Sequence, residues 1–338
     1  MGELVVVLVV LITAIAAHEL AHLGVARLVG HQVFELQIGG GPTWETTVRG
    51  VDVRVGVVPI GGHVQTGARD GEGFRWRSAV VAGSGVGANL VLAGAGAVAG
   101  IGPMIVFNVL AAAANLWPGR RRRLGEPSSD GRTLLDLALG NRDAIAEERS
   151  GWYCVEAGRA REAGDVAHAR RLVDRGIAEL GPTRALLAVR GVIAFEERRF
   201  ADVVDAYAHL IDDDRVTVAG RAGFAADAAW AASLSGDPDL ARLAEPWAAF
   251  ARRVRPRSPR RRMVHALALV DDGDNDGAAR ALEGIDDTSA DAIRSLALLS
   301  GGDEDAARMV FDTRVVPGLA PDHPLRERLA RALAADSS

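Results

Sequence analysis

His18-Glu19-Leu20-Ala21-His22 sets two imidazoles four residues apart with a carboxylate between them. On a helix that spacing turns both rings to one face, where they can hold one zinc ion. The glutamate then stands where it can take a proton from a water on the metal. Catalytic zinc keeps three protein ligands and one open position, so a third donor must come from elsewhere in the chain. The metzincin pattern would require a histidine at position 28; Leu28 stands there, which excludes that class. By residue type, Glu35, Glu45, Asp52, His31 and His63 are all open as the third donor.

The surroundings of the motif narrow the chemistry. Leu4 to Ala17 is apolar apart from Thr13, and Leu23 to Gly30 is apolar apart from Arg27. Ionisable side chains inside a membrane segment are costly and default to a functional reading. The expected chemistry is peptide hydrolysis within or at the edge of a bilayer. The first span covers about 4–30, long enough for a hydrocarbon core of roughly 30 Å. A cleaved signal peptide is the alternative, with Ala14-Ile15-Ala16 as its processing site. No basic residue precedes the run, however, and the apolar pattern continues past His22. A second span is expected over about 79–100. Its Gly83-x-x-x-Gly87 and Gly96-x-x-x-Gly100 pairs would let helices approach closely. A third, short span covers about 103–117, and Arg120 to Arg123 after it mark a cytoplasmic end. The N-terminus is then outside, the loop 31–77 is cytoplasmic, and His18 lies in the cytoplasmic half of its span.

Residues 31–66 read as short strands and hairpins: Val33 to Ile38, Thr46 to Val48 and Val51 to Val58, with Pro59-Ile60-Gly61-Gly62 breaking the pattern. From about Ala144 the chain reads as successive amphipathic helices. They break near Gly164-Asp165, Arg199-Phe200, Gly236-Asp237, Gly273-Asp274 and Gly302-Asp303. That spacing suits a tetratricopeptide-like array or a generic helical solenoid, soluble and cytoplasmic. The net charge of −5 points to no nucleic-acid partner, and the lone Cys154 excludes an internal disulfide framework.

Asn115-Leu116-Trp117-Pro118, followed by Ser128-Ser129-Asp130-Gly131, completes a wider pattern. With the HELAH motif, the stretch Leu36 to Gly62 and the helix start Ala82-Gly83 to Asn89, it resembles the site-2 protease family of intramembrane zinc metalloproteases over roughly residues 1–140. The resemblance implies one zinc ion held by His18, His22 and Asp130, with Glu19 as general base. It implies that Asn115, and the glycine pair Gly61 and Gly62, contact the substrate. Ser129 stands where a leucine usually precedes the aspartate-glycine pair, and the Pro118 to Asp130 stretch is longer than usual. On residue type alone Ser128, Ser129 or Asp130 could instead cap the next helix.

The expected fold is mainly α: a polytopic core over 1–140 with about three membrane helices and a small membrane-associated β-region, then a helical-repeat domain over 141–338. The expected function is cleavage of a transmembrane segment of a membrane-anchored protein, in regulated intramembrane proteolysis. The substrate must unwind locally, and the strand-like region 51–66 could pair with it. The helical repeats would dock a protein partner or gate the cleft, in a multi-pass protein of the cell membrane. The alternative is an inactive membrane scaffold that recruits partners through those repeats.

Overall fold

The computed structural model describes residues 2–69, 71–119, 124, 128–254 and 259–336. The Arg120 to Arg123 run used above to orient the membrane segments lies outside them. The structure is mainly helical, with one small sheet. Two compact units divide at Val189 and Arg190. The change in composition near residue 140 therefore falls inside the first unit: α5 (Arg142–Glu162) and α6 (Val166–Leu180) belong to it.

In the first unit, α1 (Gly2–Leu28) is followed by β1 (Gln32–Val48), β2 (Val51–Gly67), α2 (Phe74–Ala99), α3 (Gly102–Leu116) and α4 (Asp130–Leu139). Leu4–Leu28 and Phe74–Ala99 are long and apolar enough to cross a membrane, at 25 and 26 residues. The core helix of a water-soluble protein would be mostly buried, yet only 17% of the apolar window in α1 is. Leu4, Val5 and Val9 on α1, and Val91 and Val98 on α2, are exposed apolar side chains that lipid would cover. The second helix starts five residues before the expected 79, because Phe74 is buried against Ala68 and Leu137. At 15 residues α3 is about 22 Å long, shorter than a hydrocarbon core.

The sheet departs from the expected short strands. β1 and β2 each run 17 residues, and β2 passes through Pro59-Ile60-Gly61-Gly62 without ending. Both strands bend, because Gly39 and Gly41 take left-handed φ of 78° and 77°. Gly56 packs so closely there that a Cβ would lie 2.4 Å from the Gly40 backbone. The bend gives residues 35–38 neighbours on two sides. Gln32 to Ile38 pair with Gly67 to Gly62, and Glu35 to Ile38 pair again with Asp52 to Val55. Residues 52–55 are therefore interior to the sheet, paired on their other side with Thr47 to Trp44. Residues 62–67 pair with β1 alone among the described pairings. Proline and bulges are tolerated on strands with one open side, which is why Pro59 does not stop β2.

The sheet is seated on the two long apolar helices by Val33, Leu36 and Val51, packed with Ala26 and Leu23 of α1 and Val81 of α2. Full burial of each such valine or leucine contributes about 1.5–3 kcal/mol. The small-residue pairs of α2 divide differently from the expectation. Gly83, Gly87 and Gly100 meet nothing within 4 Å, whereas Gly96 packs on Met104, where a Cβ would lie at 3.0 Å. Close approach of α2 to α3 thus rests on Gly96 and not on the Gly83-x-x-x-Gly87 pair.

α7 (Arg184–Glu196) crosses the unit boundary. The buried Glu147 of α5 accepts from the backbone N–H of Arg184 and Ala185 at its N-terminus. The second unit contains α8 (Phe200–Asp212), α9 (Val218–Leu234), α10 (Pro238–Val254), α11 (Pro259–Asp271), α12 (Asn275–Ala281), α13 (Thr288–Ser300) and α14 (Glu304–Val310). A π-helical turn at Phe311–Val315, α15 (Val316–Gly318) and α16 (Pro324–Asp336) complete it. Consecutive helices pack together, α8 on α9, α9 on α10, α11 on α12 and α13 on α14. The glycine-aspartate breaks fall between helices. Gly164, Gly273 and Gly302 take left-handed φ, and Asp165, Asp274 and Asp303 each accept from a backbone N–H in the first turn that follows. Alanines at 222, 225, 228 and 229 let the helices around α9 approach closely over the buried Trp230.

Candidate metal centre

Four residues on two elements build the site. His18, Glu19 and His22 lie on α1 and are all buried, although apolar residues around them, such as Leu20, are exposed. Asp130 is the first residue of α4. Its carboxylate reaches His18 Nε2 at 3.2 Å and His22 Nε2 at 3.5 Å. The two Nε2 atoms lie 3.1 Å apart, and one donor atom from each of the three residues falls within 4.8 Å of the others. Lone pairs of two imidazoles and a carboxylate facing one another at such distances repel unless a metal cation or a shared proton lies among them. His22 Nδ1 donates to the Val81 carbonyl at 2.7 Å, which leaves Nε2 as the free donor toward the cluster. Two imidazoles and one carboxylate, with a ring oriented from outside, fit a zinc ion.

Three glycines make the site possible. A Cβ on Gly85 of α2 would lie 2.4 Å from His22 Nε2 and 2.6 Å from His18 Nε2, so only glycine leaves room beside both rings. A Cβ on Gly62 would lie 2.8 Å from Glu19 Oε1, so the backbone of β2 runs directly over that carboxylate. A Cβ on Gly131 would lie 1.9 Å from the Leu116 carbonyl oxygen, so α4 begins hard against the end of α3. Ser129, not Asp130, is the N-cap of α4: its Oγ accepts from Arg132 N–H and donates to the Trp117 carbonyl at 2.7 Å. Asp130 is thereby left to face the histidines. At the other end of α4, Arg75 donates to the Leu137 carbonyl, and Arg132 pairs with Asp136.

The other donors left open by the sequence are engaged elsewhere. Glu35 pairs with Arg54 at 3.1 Å and with His63 at 3.3 Å. Glu45 also pairs with Arg54, Asp52 accepts from Thr47 Oγ1, and His31 stacks on Phe74 with ring centroids 6.0 Å apart. Asn115 donates its amide to the Ala111 carbonyl of its own helix at 3.1 Å. Gly61 is exposed, with open space where a Cβ would stand and a φ of 68°. Asn89 and Asn108 are buried in α2 and α3, and Asn108 donates to Met104 of its own helix and not across the interface.

Sequence reasoning missed Gly85. The signal was present in Gly83-Ser84-Gly85-Val86-Gly87, but spacing alone favoured its neighbours. Residues 6–297 match the family model for Peptidase family M50. The match runs past the apolar helices into the second unit. No curated protein matches the chain.

Proposed function

Because this chain belongs to peptidase family M50, whose members are membrane-embedded zinc metalloproteases, we propose that it is an intramembrane zinc endopeptidase of the site-2 type. Its substrate is a transmembrane segment of a membrane-anchored protein, cut in regulated intramembrane proteolysis. The observation that carries this reading is the convergence of His18, His22 and Asp130 beside the buried Glu19 on an apolar helix. Zinc bound there supplies Lewis acidity, polarising the scissile carbonyl and making water a nucleophile near neutral pH. Glu19 accepts the proton of the attacking water and delivers it to the leaving amide nitrogen. The apolar flanks of α1 keep bulk water from that transfer.

The remaining organisation is proposed on the same basis. Residues 1–140 are the protease core, with α1, α2 and the short α3 as three membrane segments. Residues 141–338 are a cytoplasmic, tetratricopeptide-like helical array that docks a protein partner or gates the cleft. Asn115 and the Gly61–Gly62 backbone meet the substrate. A membrane-anchored regulator such as an anti-sigma factor and a remnant signal peptide both suit such a cleft.

The full-length protein purified in detergent is expected to hold one zinc ion per chain. Asp130→Ala should weaken zinc binding by more than the roughly 10–100-fold typical of losing a residue that merely supports a ligand. A folded protein with no zinc affinity would favour the inactive scaffold instead.

An unwound substrate needs a partner for its freed amides, and the place for it is narrower than the region 51–66 expected from sequence. Residues 52–55 are enclosed by pairing on both sides, so the docking edge is 62–67, which also passes over Glu19. Proline placed in turn at His63, Val64 and Gln65 removes one N–H at a time. At the position whose N–H faces away from β1, cleavage of a membrane-embedded substrate should fall about 5–10-fold with zinc retained. Unchanged cleavage in all three variants would remove strand addition from the account.

A further inference from the structure

The helix α5 carries Trp152, Glu156 and Arg159 at i, i+4 and i+7, one face of a helix. All three grip the sheet. Trp152 Nε1 donates to Gln32 Oε1 at 3.0 Å, and Gln32 Nε2 donates to Glu156 Oε1 at 3.1 Å. Arg159 donates to the Gly50 carbonyl at 3.0 Å and sets its guanidinium 5.0 Å from the Phe34 ring centroid. The helix backbone also lies against the strand end, where a Cβ on Gly67 would stand 3.0 Å from Trp152 Cα and 2.9 Å from its Cβ. Gln32 and Gly67 are paired across the ladder, so the grip falls on the first rung that joins β1 to residues 62–67.

Five residues along that strand from Gly67, about 17 Å, lies Gly62 over the Glu19 carboxylate. An edge paired on one side alone has few restraints of its own. Its end at Gly67 is fixed by a helix outside the membrane segments. We propose that α5 is a positioning helix for the substrate-pairing edge, with Trp152 and Gln32 as its positioning residues. This rests on the reading of Glu19 as the proton acceptor. Neither residue touches the metal centre or the reacting atoms. Their role is to hold residues 62–66 at a fixed height over Glu19. Because α5 also packs on α6 and caps α7, a partner that displaces these helices acts on the edge through α5.

The test uses full-length, zinc-loaded protein in nanodiscs. Trp152→Ala and Gln32→Leu should raise KM for a membrane-embedded substrate about tenfold, with zinc affinity unchanged. Amide hydrogen exchange should quicken at residues 62–66 and stay unchanged at 43–48, on the other arm of the hairpin. Trp152→Phe keeps a ring on α5 but loses the N–H donated to Gln32, so exchange at 62–66 should quicken less than in Trp152→Ala; Gln32→Glu keeps the shape at that rung, loses the bond to Glu156 and should quicken it as Gln32→Leu does. Exchange at 62–66 equal to the parent protein in both Trp152→Ala and Gln32→Leu overturns the proposal. So does a loss of activity that follows zinc loss in parallel. The exchange measurement needs no turnover, so it judges the positioning role even if the protein cleaves nothing.

Discussion

Glu19→Gln removes cleavage and leaves the metal centre filled. Glutamine keeps the shape of the side chain, and Glu19 is not among the three donors that converge within 4.8 Å, so zinc affinity should match the parent protein. What is lost is the acceptor for the water proton and its route to the leaving nitrogen. General-base catalysis is worth about 10²–10⁴-fold, and the loss should lie at the upper end. Glu19 is only 6% exposed, and the backbone of Gly62 covers it, so bulk water cannot take over the transfer. The measurement pairs turnover of a membrane-embedded substrate with zinc stoichiometry on the same preparation. Cleavage within tenfold of the parent protein would place the proton acceptor on another residue. The same variant, catalytically dead and metal-loaded, should retain bound substrate, and its capture from membranes would identify the segment that is cut.

What the sequence made legible follows from how local each signal is. The i, i+4 spacing of His18 and His22 on an apolar run needs no tertiary information to put two rings on one face. The glycine-aspartate breaks also carry their cause with them: a left-handed glycine ends one helix and an aspartate caps the next, as at Gly273 and Asp274. The sheet was less legible. Pro59, Gly61 and Gly62 have the local chemistry of a turn, and their place inside β2 depends on the pairing of residues 62–67 with β1. Gly39 to Gly41 lie between two of the expected strands, yet they form the bend that gives residues 35–38 two sets of neighbours. The helix glycines show the same limit. Spacing chose Gly83 and Gly87, which meet open space, and passed over Gly85, whose missing Cβ leaves room for two imidazoles. A glycine that serves a neighbouring element has no signature in its own helix.

Gly131 is the sharpest case of such a glycine, and replacing it is expected to separate Asp130 from the histidines. The first turn of α4 lies on the Leu116 carbonyl so closely that an alanine Cβ would sit 1.9 Å from the oxygen and 2.3 Å from the carbon. Both atoms are backbone at the end of α3, so the contact cannot be relieved by rotating a side chain. The far end of α4 is held to α2 by Arg75 on the Leu137 carbonyl, so relief falls on the N-terminal turn. Asp130 begins that turn, and a displacement of about 1 Å there is enough to lower catalysis roughly 100-fold. Gly131→Ala should therefore lose zinc affinity at least tenfold and cleave at about one-hundredth of the parent rate, with helix content preserved by circular dichroism. Gly83→Ala, with nothing within 4 Å of the added carbon, should bind zinc and cleave as the parent does, which separates the loss at Gly131 from a general intolerance of alanine in membrane-proximal helices. Full zinc affinity in Gly131→Ala would mean that Asp130 is not a ligand, and that the carboxylate beside His18 and His22 only orients them.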